Sequence, residues 1–189
     1  MPTIINQIEK GDGLLLVDVQ KDFCAGGRLA IDDGDQVVPV LNRWMGYARE
    51  KKVPIYASRD WHPVGHMSFK EQGGRWPPHC IQDSEGAQFH ADLALGSDVV
   101  KITKGVRFDQ DQNSVFDETG FAEQLRRDAV KRLWIGGLAL DVCVKASVLD
   151  ALEEGFEVFV LRAATRPVTP KGGREAVNFM RRAGAAIVS

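Results

Sequence analysis

Several absences narrow the field first. The chain of 189 residues has no apolar run approaching the length of a membrane span. Its opening stretch, MPTIINQIEKGDG, is too polar for the core of a signal peptide, so the expected location is the cytoplasm. Cysteine is scarce, and a count of three is odd, which argues against a disulfide framework and for reduced thiols. No charge of one sign dominates: 24 Lys and Arg face 26 Asp and Glu, interspersed, for a net charge of −2. Neither nucleic acid nor an anionic membrane is therefore an expected partner. Repeats, low-complexity segments and Pro/Ser linkers are also missing. With 44% hydrophobic residues, 1–189 reads as one domain with a sizeable core. A homo-oligomer stays open, because exposed apolar patches cannot be read without a fold.

What is present is an alternation of strand and helix. Residues 14–19, LLLVDV, form a short apolar run that reads as a buried strand, with Asp18 near its carboxyl end. Val37, Val40, Leu41, Trp44 and Ala48 recur at helical spacing over 37–52, and 53–58 is a second strand. Strand, helix, strand of this length is a βαβ unit and implies a parallel sheet. Further strands are expected at 98–103, 133–135, 158–161 and 185–188. Helices are expected at 121–128, from 141 onward, and at 171–182. The fold class is a three-layer α/β/α sandwich with a mostly parallel central sheet.

In such sheets ligands bind beyond the carboxyl ends of the strands, and the candidate residues gather there. Asp18 is costly in an apolar strand unless it is paired or working. Lys104 closes the 98–103 strand, although most loop lysines are simply solvated. Cys143 follows the break Gly136-Gly137, where a strand ends and a helix begins. Unpaired N–H groups and the helix dipole at such a start can lower a thiol pKa and make a nucleophile; the plainer reading is a small buried apolar residue. After the second strand come RDWHPVGHMSF and RWPPHC, which hold three of the four histidines. Asp60, His62 and His79 are N/O donors suited to Zn²⁺, Mn²⁺ or Fe²⁺, with His66 nearby. Phe23 and Trp76 could wall a pocket or belong to the core. His90 lacks such company and reads as a surface residue.

Taken in order, DVQKDF, RDWHP…HMSF…WPPHC, Lys104-Gly105 and GLALDVC resemble the nicotinamidase/pyrazinamidase group of the isochorismatase-like cysteine hydrolases, over most of the chain. The resemblance implies that Asp18, Lys104 and Cys143 are catalytic, and that Asp60, His62 and His79 hold one divalent ion. His66 matches a residue that is a fourth ligand in some members and only close to the site in others. Phe23 and Trp76 match aromatics that sandwich a pyridine ring. The N–H groups of Ala139 and Cys143 match an oxyanion hole, with a cis peptide at Leu138–Ala139. The implied substrate is nicotinamide, with pyrazinamide as a second amide. Lys21 stands where Asn is usual, and Leu140 where Thr is common. Two rivals remain: a relative acting on another small amide or ureido compound, and a non-catalytic metal-binding module.

Overall fold

The computed structural model describes residues 8–189; the polar start, 1–7, lies outside the described residues. Strands β1 (Asp12–Val17), β2 (Ile55–Asp60), β3 (Val99–Lys104), β4 (Arg132–Leu138), β5 (Glu157–Arg166) and β6 (Ala186–Val188) form one sheet. Its order is β3-β2-β1-β4-β5-β6 and every pairing is parallel. The helices are α1 (Val37–Lys51), α2 (Phe121–Arg127), α3 (Lys145–Glu153) and α4 (Pro170–Ala183).

The expected sandwich is the observed one. Successive β1 side chains point to opposite faces and both faces are buried, so the strand is apolar throughout. Leu14 and Leu16 join Val37, Leu41, Met45 and Ala48 of α1 in one core. Leu15 and Val17 join residues of α2, α3 and α4, among them Leu125, Val148 and Met180, in the other. Thr169 caps α4 by accepting from the Gly172 N–H at 3.0 Å. Among the described residues no helix is long and apolar enough to cross a membrane.

Several strands run further than expected. Gly136 and Gly137 do not break β4; they let it continue. A Cβ on Gly136 would lie 2.9 Å from Leu41 Cδ2, and Gly137 has φ of +122° with room for no Cβ against the Val17 carbonyl. β5 reaches Arg166, well past residue 161. β2 and β3 end on Asp60 and Lys104 themselves, so these side chains are strand-anchored and not carried by loops.

The chain moves outward from β1 to β3 on one side and from β4 to β6 on the other. The direction of winding therefore reverses between β1 and β4, where a crevice opens at the carboxyl ends. Asp18 follows β1, and the turn carrying Cys143 follows β4.

Candidate active site

Asp18 leaves β1 in the left-handed conformation, φ 47°, and is fully buried. Its N–H donates to the Ser58 carbonyl at 3.1 Å, and the Ser58 hydroxyl donates to Asp18 Oδ1 at 2.7 Å. Asp18 Oδ2 lies 2.9 Å from Lys104 Nζ. That ammonium is itself fully buried, donates to Asp60 Oδ1 at 2.5 Å and to the Gln112 carbonyl at 3.3 Å, and lies 3.5 Å from Cys143 Sγ. Cys143 sits in a wide π-type turn, Leu140–Val144, that leads into α3. One lysine thus touches two carboxylates and the thiol.

The electrostatics follow from one cation among three acids. Burial pushes the Asp18 carboxyl up, and Lys104 only partly offsets it. Burial also raises Asp60, but Lys104 and His62 outweigh it and hold that carboxylate low. Lys104 is disfavoured by burial and yet held well above its ordinary value by Asp18, Asp60 and Cys143. Burial is the largest influence on the Cys143 thiol and pushes it well above the ordinary range, with the Lys104 ammonium pulling the other way.

Next to this cluster, Asp60, His62 and His79 bring ligand atoms within 4.8 Å of one another. Each imidazole is oriented from behind: His62 Nδ1 donates to the Gly105 carbonyl at 2.9 Å and His79 Nδ1 to the Pro77 carbonyl at 2.8 Å. Both Nε2 lone pairs are thereby left for an ion, the arrangement expected of ligating histidines. Two imidazoles, neutral once an ion displaces any proton between His62 and Asp60, and one carboxylate fit a divalent cation that keeps open positions. His66 stacks on His62 with ring centroids 4.1 Å apart, but its own nitrogens are taken: Nδ1 meets Ser68 Oγ at 2.7 Å and Nε2 the Gln110 carbonyl at 3.2 Å.

A pocket with about 510 Å³ of empty space, part of it open solvent, connects the two clusters. Phe23, Trp76, Ala139 and Cys143 all line it, with Asp60, His62 and His79 on its wall. The Phe23 ring lies 5.6 Å from that of His79, and the peptide Leu138–Ala139 is cis. Val142, Val168, Asp111 and Asn113 also line it and have no distinguishing pattern in the sequence. Ser58 and Gln112 were also not foreseen; an apolar strand and a polar loop conceal them. His90 is not a free surface residue: it is half-buried, with Nε2 3.1 Å from Asp35 Oδ1.

A buried Asp/Lys/Cys cluster beside an Asp/His/His set, on a parallel sheet of this order, defines a class. Residues 12–189 match the isochorismatase domain, and the chain belongs to that family of α/β proteins. Within it, the chain falls in the nicotinamidase/pyrazinamidase group. It is 38% identical to the nicotinamidase of Escherichia coli K12, with 92% of each chain covered. Among solved structures, the pyrazinamidase of Pyrococcus horikoshii in complex with zinc is 41% identical, with a TM-score of 0.92, covering 95% of this chain and 99% of that one. A protein from L. infantum in complex with nicotinate is 34% identical, with a TM-score of 0.86, covering 95% of this chain and 93% of the other.

Proposed function

We propose that this chain, working as one hydrolase domain in the cytoplasm, converts nicotinamide to nicotinate and ammonia, and accepts pyrazinamide as well. The observation that carries the reading is Lys104, which meets Asp18, Asp60 and Cys143 at 2.9, 2.5 and 3.5 Å, behind a pocket that Asp60 and Cys143 line. The likeness to nicotinamidases and to a nicotinate complex supports the substrate. Three unpaired thiols suit a reducing compartment.

An amide is a weak electrophile, and ammonia leaves only with an added proton; a covalent intermediate divides the task. Cys143 holds its proton at rest, so attack needs a base at the moment of reaction. Asp18, whose burial raises its basicity, fills that role. Asp18 takes the thiol proton, and the sulfur adds to the carboxamide carbon. The N–H groups of Ala139 and Cys143 receive the oxyanion; one such donor is worth about 3 kcal/mol. Collapse breaks the C–N bond as Asp18 returns the proton to the departing ammonia. A water, deprotonated by Asp18, then hydrolyses the thioester, and the proton returns to Cys143. Lys104 stays charged throughout and balances whichever partner carries the negative charge. Phe23 and Trp76 hold the flat ring from its two faces. A divalent ion on Asp60, His62 and His79 would supply positive charge and open positions for a substrate lone pair.

The test is ammonia release from nicotinamide by purified protein, before chelation, after it, and after zinc is returned. Turnover lost and then restored is expected. Activity indifferent to complete chelation would remove the ion from the reading, and no activity in fully loaded protein would remove nicotinamide.

A further inference from the structure

Two buried polar side chains beside Asp18 take no part in the chemistry above. Each bonds to the backbone of a residue proposed to hold the ion or of the residue next to one. The ladder between β1 and β2 runs to Leu16↔Ala57, and then Asp18 turns away with its positive φ. β2 continues to Asp60, whose backbone has lost a neighbouring strand on that edge. Gln20, fully buried, replaces the strand with its side chain. Its Oε1 accepts the Asp60 N–H at 2.8 Å and its Nε2 donates to the Asp60 carbonyl at 2.7 Å. The other Nε2 proton goes to the Ala87 carbonyl at 2.8 Å. A side-chain amide has the donor and acceptor of a peptide group, so Gln20 clamps Asp60 as a strand would.

Asp22, also buried, acts on the other side of the site. Its Oδ2 accepts the Cys80 N–H at 2.7 Å and its Oδ1 the Arg28 N–H at 3.1 Å. Cys80 directly follows His79, has φ 44°, and its carbonyl accepts the His62 N–H at 2.8 Å. The carboxylate therefore pins the link between the two histidines. A charged acceptor on backbone N–H groups is among the stronger hydrogen bonds available.

We propose that Gln20 and Asp22 are positioning residues for the divalent ion. Gln20 fixes Asp60 and Asp22 fixes His79, so the segment that carries the base also shapes the ion site. This rests on the reading of Asp60, His62 and His79 as the ion's ligands. Near-isosteric changes isolate the effect. Gln20→Glu sets a carboxylate against two carbonyls, and Asp22→Asn can turn an NH₂ group toward a backbone N–H. Groups that orient metal ligands typically change affinity by about 10–100-fold when altered.

The experiment strips wild type, Gln20→Glu and Asp22→Asn of metal and titrates each with Zn²⁺ against a chromogenic chelator. Folding is checked by circular dichroism, and the Cys143 alkylation rate is measured in the same metal-free samples. Dissociation constants about 10–100-fold weaker in folded variants are expected, with Asp22→Asn keeping an alkylation rate within about twofold of wild type, since only the ion's side of the site is disturbed. If either variant fails to fold, Gln20→Met and Asp22→Ser carry the same expectation. Wild type that binds zinc alongside variants that bind it equally well would overturn the proposal alone. Wild type that binds none would overturn the ion site itself, and this inference with it.

Discussion

Replacing Lys104 by Met tests the electrostatic core of the site. Methionine fills similar volume but removes the cation that lies 2.9 Å from Asp18 and 2.5 Å from Asp60. Two buried carboxylates are then left facing each other beside a thiol. Removing one partner of a buried ion pair costs about 3–5 kcal/mol, because the desolvated charge stays behind. At this chain length each kcal/mol moves the melting temperature by about 2–4 °C, which gives a drop of roughly 6–20 °C. Metal-free protein is the sample to use, since a bound cation would stand in for the lysine. The assay is urea unfolding followed by circular dichroism at pH 8 and at pH 5. Without Lys104 the carboxylates titrate higher in the fold than in the unfolded chain, so acid relieves the strain and the deficit against wild type shrinks at pH 5. Adding Asp18→Asn should recover more than about 1 kcal/mol of the loss, because the two sites are coupled. A Lys104→Met protein within about 1 kcal/mol of wild type, or a double variant weaker than the single, would refute the reasoning.

Other perturbations separate the remaining parts. Cys143→Ala should abolish nicotinamide turnover while zinc content and ligand binding stay near wild type; a measurable acyl-enzyme in the variant would contradict this. His79→Ala should lose most bound zinc, whereas His66→Ala should lose less than about tenfold in affinity, since its nitrogens serve Ser68 and Gln110; equal losses in a zinc titration would make His66 a ligand. Burial, reinforced by Asp128 2.6 Å away, raises the Tyr56 phenol above its usual value of 10.0. A raised folded pKa gives stability that is complete below pH 10 and falls above it, by about 1.4 kcal/mol per pH unit. In alkaline urea titrations Tyr56→Phe should flatten that slope, and an unchanged slope would place its origin elsewhere. Gly137→Ala should destabilise by more than about 2 kcal/mol, since its φ of +122° and the Val17 carbonyl leave no room for a methyl group; a neutral result would mean that β4 can shift.

The local code was legible because period and composition act over a few residues. The run 14–19 read as a strand buried on both faces, and it is one as far as Val17, where the positive φ of Asp18 ends it; the spacing from Val37 to Ala48 had to be a helix, and their alternation required parallel pairing. Ligand type was equally legible: Asp60, His62 and His79 are donors whatever the fold. Strand ends were less so. Asp60 and Lys104 read as residues beyond strands because polar side chains resemble loop composition, yet the ladder between β2 and β3 includes both. Gly136 and Gly137 read as a break, because local pattern carries no record of Leu41 or Val17 pressing against them.

Chain order and residue chemistry by themselves determined the layers of the sandwich and the sheet edge where the candidate residues would gather, and the family resemblance supplied the roles proposed for them. Only the tertiary structure decided that β1 and β4 lie side by side, which brings Asp18 and Cys143 to one crevice from 125 positions apart in the numbering. It decided that one buried lysine would meet two carboxylates and a thiol, that burial would push the thiol up, and that the Gln20 side chain would bond both backbone groups of Asp60. The reason is physical. Periodicity reports which face of an element is apolar, whereas desolvation and the pairing of buried charges depend on neighbours that only the packed sheet supplies.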